Sequence, residues 1–113
     1  MRPTLQRTAQ FQLVYTQGRK HVCPAFVVFY LQAAPDSRVA FVASRKVGGA
    51  VQRNRAKRVL RAALAEVLRD LPEVSPGWLV LVARREILAR TSPEVATTMR
   101  EVLELEPPGA RPS

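Results

Sequence analysis

The residues whose chemistry stands out are seven cations between positions 45 and 61, with no acidic residue among them. Guanidinium groups bind phosphate through paired N–H donors, and each neutralised phosphate of a nucleic acid releases condensed counterions. Asn54 lies in the same run and can both donate to and accept from base edges or backbone. The alternative is a solvated charged helix face, which would be stabilised by interleaved acids. The pattern favours RNA or DNA contact through Arg45, Lys46, Arg53, Asn54, Arg55, Lys57, Arg58 and Arg61.

Residues suited to covalent catalysis are scarce. The chain has one histidine, His21, and one cysteine, Cys23, and its acids are scattered. Glu101 and Glu104 stand about one helical turn apart, but no basic or nucleophilic partner accompanies them. The glycines at 48–49 lack the Lys-Ser/Thr ending of a phosphate-cradling loop. We therefore expect no catalytic residue, no metal site and no cofactor bound by the protein alone.

Charge is distributed unevenly along the chain, whose formal net charge is +9. Residues 1–65 carry twelve Lys/Arg and one acid, Asp36, whereas residues 66–113 carry six Lys/Arg and eight acids. A basic half joined to a near-neutral half predicts a basic face and a polyanionic partner. The excess of arginine over lysine can equally reflect genome base composition, so it supports no mechanism by itself.

Length and composition indicate one domain over residues 1–105 and a flexible, proline-rich tail over residues 106–113. A single cysteine allows no intrachain disulfide, which favours a reducing compartment. No apolar run approaches the length of a membrane span, and no signal-peptide pattern opens the chain. We therefore expect a cytoplasmic protein without a membrane partner.

The hydrophobic pattern predicts the elements that position these residues. They are a helix over 4–17, strands over 19–23, 25–33 and 38–44, a helix over 51–71, a strand over 78–83, and a helix from 91 or 92 onward. The two later helices would cover one face of a mixed sheet, and the first helix would lie by the other face beside a partly open groove. The predicted fold class is α+β, a two-layer α/β sandwich with the order α-β-β-β-α-β-α.

The first predicted helix has apolar residues on two sides. Leu5, Ala9 and Leu13 share one side, and Phe11, Val14 and Tyr15 lie on the opposite side. A short surface helix needs only one apolar stripe. Either both sides are buried, or one side is free to bind something, and the pattern alone leaves both open.

The basic run has the order Arg45-Lys46-Val47-Gly48-x-Ala50-Val51-x-Arg53-Asn54-Arg55-x-Lys57-Arg58-x-x-Arg61. This order resembles the signature of the bacterial ribonuclease P protein subunit, whose hallmark is an Arg-Asn-Arg helix. Phe11-x-x-x-Tyr15-x-x-Gly18 is similar to the aromatic helix of that family. Residues 26–29 and 79–84 are similar to its leader-facing strand and to the strand after its basic helix. The resemblance covers about residues 5–105.

The resemblance implies a left-handed β-α-β crossover through the basic helix, a handedness that is rare. It implies a non-catalytic subunit of the ribonucleoprotein that removes the 5′ leader from precursor tRNA. Catalysis would belong to the RNA subunit, which requires magnesium, and no obligate protein partner is expected. The cations and Asn54 of the basic run would contact the RNA subunit. Phe11, Tyr15 and Phe29 would line a groove for the single-stranded leader.

The charge pattern by itself permits other functions. A ribosomal or other structural RNA-binding protein fits it equally well. A DNA-binding module with the helix over 51–71 in a major groove is less favoured, because no dimerisation element is apparent. An independent nuclease is disfavoured, because the acids form no cluster.

Overall fold

Four strands form one mixed sheet in the order β1-β2-β4-β3. The computed structural model describes residues 8–31, 38–70 and 77–105. The elements are α1 (Thr8–Gln17), β1 (Arg19–Val22), β2 (Phe26–Leu31), β3 (Arg38–Val42), α2 (Ala50–Asp70), β4 (Trp78–Ala83), a 3-10 helix (Arg85–Ala89) and α3 (Ser92–Leu105). The predicted order and fold class are confirmed, and the 3-10 helix is an element that the pattern did not indicate. Residues 4–7 of the predicted first helix and the predicted tail over 106–113 lie outside the described residues.

The sheet is mixed because β4, the last strand in the chain, lies between β2 and β3. It pairs antiparallel with β2 and parallel with β3. The parallel pair is joined through α2, so the β3-α2-β4 unit that the resemblance implies is present. The handedness of this crossover stays a prediction.

One face of the sheet is covered by α2 and α3. Alternate residues of β2 (Phe26, Val28 and Tyr30) are buried on this face, as the two-residue period of a strand requires. The apolar stripe of α2 packs against them and comprises Ala56, Leu60, Ala63, Leu64 and Val67. Burying each large apolar side chain contributes roughly 1.5–3 kcal/mol relative to exposure, so this layer is the main core.

Polar contacts stabilise the start of α3 and attach the helix to α2. Thr91 and Glu94 form a capping box, in which the backbone N–H of Thr91 donates to Glu94 Oε1 at 2.8 Å. The Glu94 N–H donates back to Thr91 Oγ1 at 3.4 Å. Further along, Arg100 Nη2 donates to Asp70 Oδ2 at 2.5 Å, which ties α3 to the last turn of α2.

On the opposite face of the sheet, α1 covers only part of the strands. Val14 is fully buried against Ala40 and Val80. The helix ends at Gly18, whose N–H donates to the carbonyl of Val14 at 2.8 Å. An added Cβ on Gly18 would come 2.5 Å from that carbonyl oxygen, so the close turn requires glycine. The side of α1 that carries Ala9 and Leu13 is exposed, so the alternative in which both sides are buried is wrong. Tyr15, on the side of Val14, is itself 41% exposed.

Candidate nucleic-acid interface

A tight turn leads from β3 into the basic helix. Val47 anchors this turn in the core, and its N–H donates to the Ser44 carbonyl at 3.0 Å. Gly48 has a φ of 148°, which only glycine adopts readily. Helix α2 starts immediately afterwards, with the Arg53 N–H donating to the Gly49 carbonyl at 2.9 Å. Arg45 and Lys46 therefore lie in the turn that leads directly into α2.

The predicted polar stripe of α2 faces solvent: Asn54, Arg58 and Arg61 are all exposed. Arg55 is also exposed, whereas Arg53 and Lys57 are half-buried because they lie nearer the apolar stripe. Among the described residues, none of the seven cations between 45 and 61 has a carboxylate within ion-pair distance. We call this surface, which consists of the seven cations and Asn54, the basic strip. Its charge is therefore not neutralised by carboxylates within the described protein.

The three predicted groove residues, two on α1 and one on β2, lie close together. The ring centres of Phe11 and Tyr15 are 6.2 Å apart, and the rings are tilted by 39°. Tyr15 in turn contacts Phe29 of β2, with ring centres 4.7 Å apart and planes at 73°. Phe11 and Phe29 are half-buried, so each ring keeps an accessible part. Such an exposed aromatic cluster can stack with planar ligands, nucleobases included.

The phenol of Tyr15 stays neutral over the ordinary pH range. Partial burial raises the pKa of Tyr15 above its usual value of 10.0, because desolvation disfavours the phenolate. At neutral pH the ring therefore presents no negative charge to a polyanionic ligand.

A row of valines extends the floor of the groove along the sheet. Strand register places Val22, Val27, Val82 and Val42 side by side across all four strands. Val22 is 61% exposed and the other three are half-buried. The row ends at Val42, three residues before Arg45. Along the chain, the floor of the aromatic groove is therefore followed within three residues by the basic strip.

One further cation joins the groove, and a second lies at the end of β4, although the sequence pattern singled out neither. Lys20 of β1 lies opposite Phe29, with its Nζ 5.7 Å from the centre of that ring. Arg84 follows β4, and its Nη1 donates to the Cys23 carbonyl at 2.8 Å. Lys20 meets Phe29 through the register of the β1–β2 pair, and Arg84 meets Cys23 from another strand, so periodicity within one element could not have found either contact.

Cys23, by contrast, is a core residue. Burial raises the pKa of its thiol, and the negative charge of Glu101 raises it further, whereas Arg84 lowers it. The thiol is therefore protonated and unreactive at neutral pH. Within residues 8–31, 38–70 and 77–105, no three His, Cys, Asp or Glu residues gather in a way that could hold a metal ion. None of the helices in the same ranges combines the length and apolarity needed to cross a bilayer.

Comparison with known proteins decides between the remaining interpretations. The sequence model of the Ribonuclease P family matches residues 2–105. The chain belongs to the ribonuclease P protein family. It is 42% identical to the ribonuclease P protein component of a Nitratiruptor species over 101 residues, which cover 89% of each protein. It is also 43% identical to the component of Symbiobacterium thermophilum over 104 residues, which cover 88% of this chain and 87% of that protein.

Solved structures of ribonuclease P proteins share the fold. The Staphylococcus aureus RNase P protein superposes with a TM-score of 0.73 at 24% identity, covering 95% of this chain and 97% of that one. The Thermotoga maritima RNase P protein gives 0.68 at 26% identity, covering 90% and 96%. As a ribonuclease P protein, the chain is a component of the tRNA-processing ribonucleoprotein. Family membership thus decides against the ribosomal and DNA-binding alternatives.

Proposed function

We propose that this ribonuclease P protein binds the catalytic RNA subunit through the basic strip and the single-stranded 5′ leader of precursor tRNA along the aromatic groove. It would thereby assist leader removal without cleaving the RNA itself. The observation that carries the proposal is that the basic strip follows directly on a strand that floors the aromatic groove. The valine row that floors the groove ends at Val42, three residues before the first cation of the basic strip.

Contact with the RNA subunit is supported by the charge of α2. Arg53 and Arg61 are eight residues apart, which corresponds to about 12 Å along a helix. Without a nearby carboxylate among the described residues, the cations on this length repel one another in the free protein. Phosphates of a folded RNA would remove that repulsion and would release counterions at the same time.

Leader binding is supported by the composition of the groove. Leader sequences differ between precursor tRNAs, so their binding site must tolerate any base. Aromatic rings do so, since base stacking contributes about 1–3 kcal/mol per base with little sequence preference. Tyr15 offers an exposed ring, and the ammonium of Lys20 beside Phe29 offers a cation for the leader backbone.

Cleavage is assigned to the RNA subunit, with magnesium as its required cofactor. The protein contributes binding and orientation of the substrate, and it needs no cofactor of its own for these roles. The complex is proposed to act in the cytoplasm, with the RNA subunit and precursor tRNA as partners and without an obligate protein partner or a membrane.

The decisive experiment compares precursor and mature tRNA on the reconstituted complex. The purified protein alone should leave precursor tRNA intact. Added to the cognate RNA subunit at low magnesium concentration, it should raise the cleavage rate and tighten binding of leader-bearing precursor relative to mature tRNA. Equal affinity for both substrates would refute the groove assignment, and cleavage by the protein alone would refute the division of labour.

The contact of the basic strip is tested separately by its salt dependence. Arg58→Ala should weaken binding to the RNA subunit and reduce the slope of log affinity against log salt by about one. Arg69→Ala provides the matched control, because Arg69 is exposed on the last turn of the same helix and outside the strip. An unchanged slope in Arg58→Ala, or the same change in both variants, would contradict the assignment.

A further inference from the structure

Arg61 differs from the other cations of the basic strip because its side chain contacts an aromatic ring. Its guanidinium carbon lies 5.3 Å from the centre of the Phe41 ring. Phe41 is on β3, opposite Leu81 of β4, and it is half-buried against the main core under α2. The ring is thus fixed by the sheet, while the side chain of Arg61 is exposed on the helix above it.

An aromatic ring holds a guanidinium differently from a carboxylate. When a ring contacts the flat face of the group, the five N–H donors at its edge and its positive charge stay available. A carboxylate would use those donors and cancel the charge, as Asp70 does for Arg100 and Glu86 does for Arg90 in this protein. A ring can therefore orient an arginine that must still bind phosphate.

Arg55 and Arg58 provide the comparison within the same helix. Both are exposed, and in the described part of the chain neither has a ring or a carboxylate as partner. Their side chains must lose rotational freedom when they bind a phosphate. Arg61 has already lost part of that freedom in the free protein, because it is held against Phe41.

We propose that Phe41 is a positioning residue, which orients the guanidinium of Arg61 for a phosphate of the RNA subunit. This inference rests on the proposed contact between the basic strip and that RNA. Phe41 itself touches no RNA and acts through Arg61 alone. Its effect on RNA binding must therefore disappear when Arg61 is removed.

A double-mutant cycle on binding of the RNA subunit tests this dependence. Phe41→Leu keeps an apolar side chain but removes the ring. In the otherwise unchanged protein it should weaken RNA affinity by about two- to five-fold, the range that an exposed cation–π contact provides. In the Arg61→Ala background the same substitution should leave affinity unchanged. Phe41→Tyr, which retains a ring, should restore the affinity lost in Phe41→Leu.

The outcomes separate this inference from the proposed function. If Arg61→Ala binds RNA as well as the unaltered protein, the RNA contact of Arg61 itself is wrong. If Arg61→Ala weakens binding but Phe41→Leu has the same effect with and without Arg61, or no effect, the positioning role is wrong. Thermal unfolding of each variant verifies that the binding measurements are made on folded protein.

A second pair of variants leaves Phe41 and the core intact. Arg61→Lys and Arg58→Lys both retain the charge but lose the flat guanidinium. Because an ammonium lacks the flat face that can rest on a ring while a paired edge binds phosphate, Arg61→Lys should weaken RNA binding about two- to five-fold more than Arg58→Lys does. Equal losses would overturn the inference.

Discussion

Lys20 and Phe29 face each other across the β1–β2 pair, and the ammonium nitrogen of Lys20 lies 5.7 Å from the centre of the Phe29 ring. Tyr15 reaches the same ring from α1, with ring centres 4.7 Å apart. Phe29 therefore supports both a cation and a second aromatic ring. This arrangement assigns different tasks to the groove residues: Phe29 is the platform, Tyr15 the accessible stacking surface, and Lys20 the charge beside them.

Replacing Lys20 by glutamine should weaken precursor tRNA binding through the leader alone. The loss of one phosphate contact to a single strand reduces the salt slope by about 0.7. Affinity for mature tRNA should not change, because mature tRNA has no leader. Arg69→Gln, on the other face of the sheet, is the control. An equal loss for precursor and mature tRNA would place Lys20 outside the leader site.

Replacing Tyr15 by leucine should cost about 1–3 kcal/mol of binding free energy for precursor tRNA, because a stacking surface is lost. Tyr15→Phe should bind nearly as tightly as the original protein, since the ring remains. Leu13→Ala is the matched control, because Leu13 is similarly exposed on α1 but has no ring on which a base could stack. Fluorescence titration with precursor and mature tRNA measures the difference. A Leu13→Ala loss equal to that of Tyr15→Leu would contradict specific stacking.

The two glycines before α2 should respond differently to alanine. At Gly48 the φ of 148° disfavours any side chain, and an added Cβ would lie 2.9 Å from the Gln52 Cβ. Gly48→Ala should therefore lower the free energy of unfolding by about 1–3 kcal/mol. At Gly49 an added Cβ would meet only the mobile end of Gln52, Oε1, at 3.2 Å. Gly49→Ala should change stability by about 0.5 kcal/mol or less in urea unfolding. Equal losses would show that backbone conformation is not the cause.

The capping box of α3 should make stability depend on pH. Hydrogen bonds from the Thr91 backbone N–H and hydroxyl lower the pKa of Glu94 below its usual value of 4.5. The stability that the ionised carboxylate of Glu94 contributes is therefore present above about pH 4.5, and it is lost as the pH falls through the lowered pKa. The difference in melting temperature between the unaltered protein and Glu94→Ala should be larger at pH 7 than at pH 3. Glu104→Ala, at the other end of the same helix, should show a smaller change in that difference. The same difference at both pH values would argue against the ionised cap.

Much of the fold is predictable from local pattern. Strand β4 is predicted in full, because six apolar residues stand between Gly77 and Arg84. The last helix, predicted to begin at Thr91 or Ser92 with Pro93 and Glu94 in its first turn, begins at Ser92. The 3-10 helix over Arg85–Ala89 is missed, because five residues are too few to show a helical period.

The site could be predicted only in part, because some of its contacts join residues of different elements. The exposed stripe of α2 follows from helical spacing within one element, so Asn54, Arg58 and Arg61 are placed correctly on its surface. The pairs Lys20–Phe29 and Phe41–Arg61 join different elements. The first pair depends on the register of β1 against β2 and the second on how α2 packs beside β3, and periodicity within one element carries no information about either. RNA contact by each predicted residue stays a prediction for the experiments above.

The strand order also constrains how the protein can be made. During synthesis β2 and β3 leave the ribosome before β4 exists, yet in the finished sheet they are not neighbours. Until β4 inserts between them, both strands of the nascent chain expose hydrogen-bonding edges and apolar side chains. Productive folding must therefore wait for Trp78–Ala83, and premature pairing of β2 with β3 is the misfolded state that a chaperone would have to prevent.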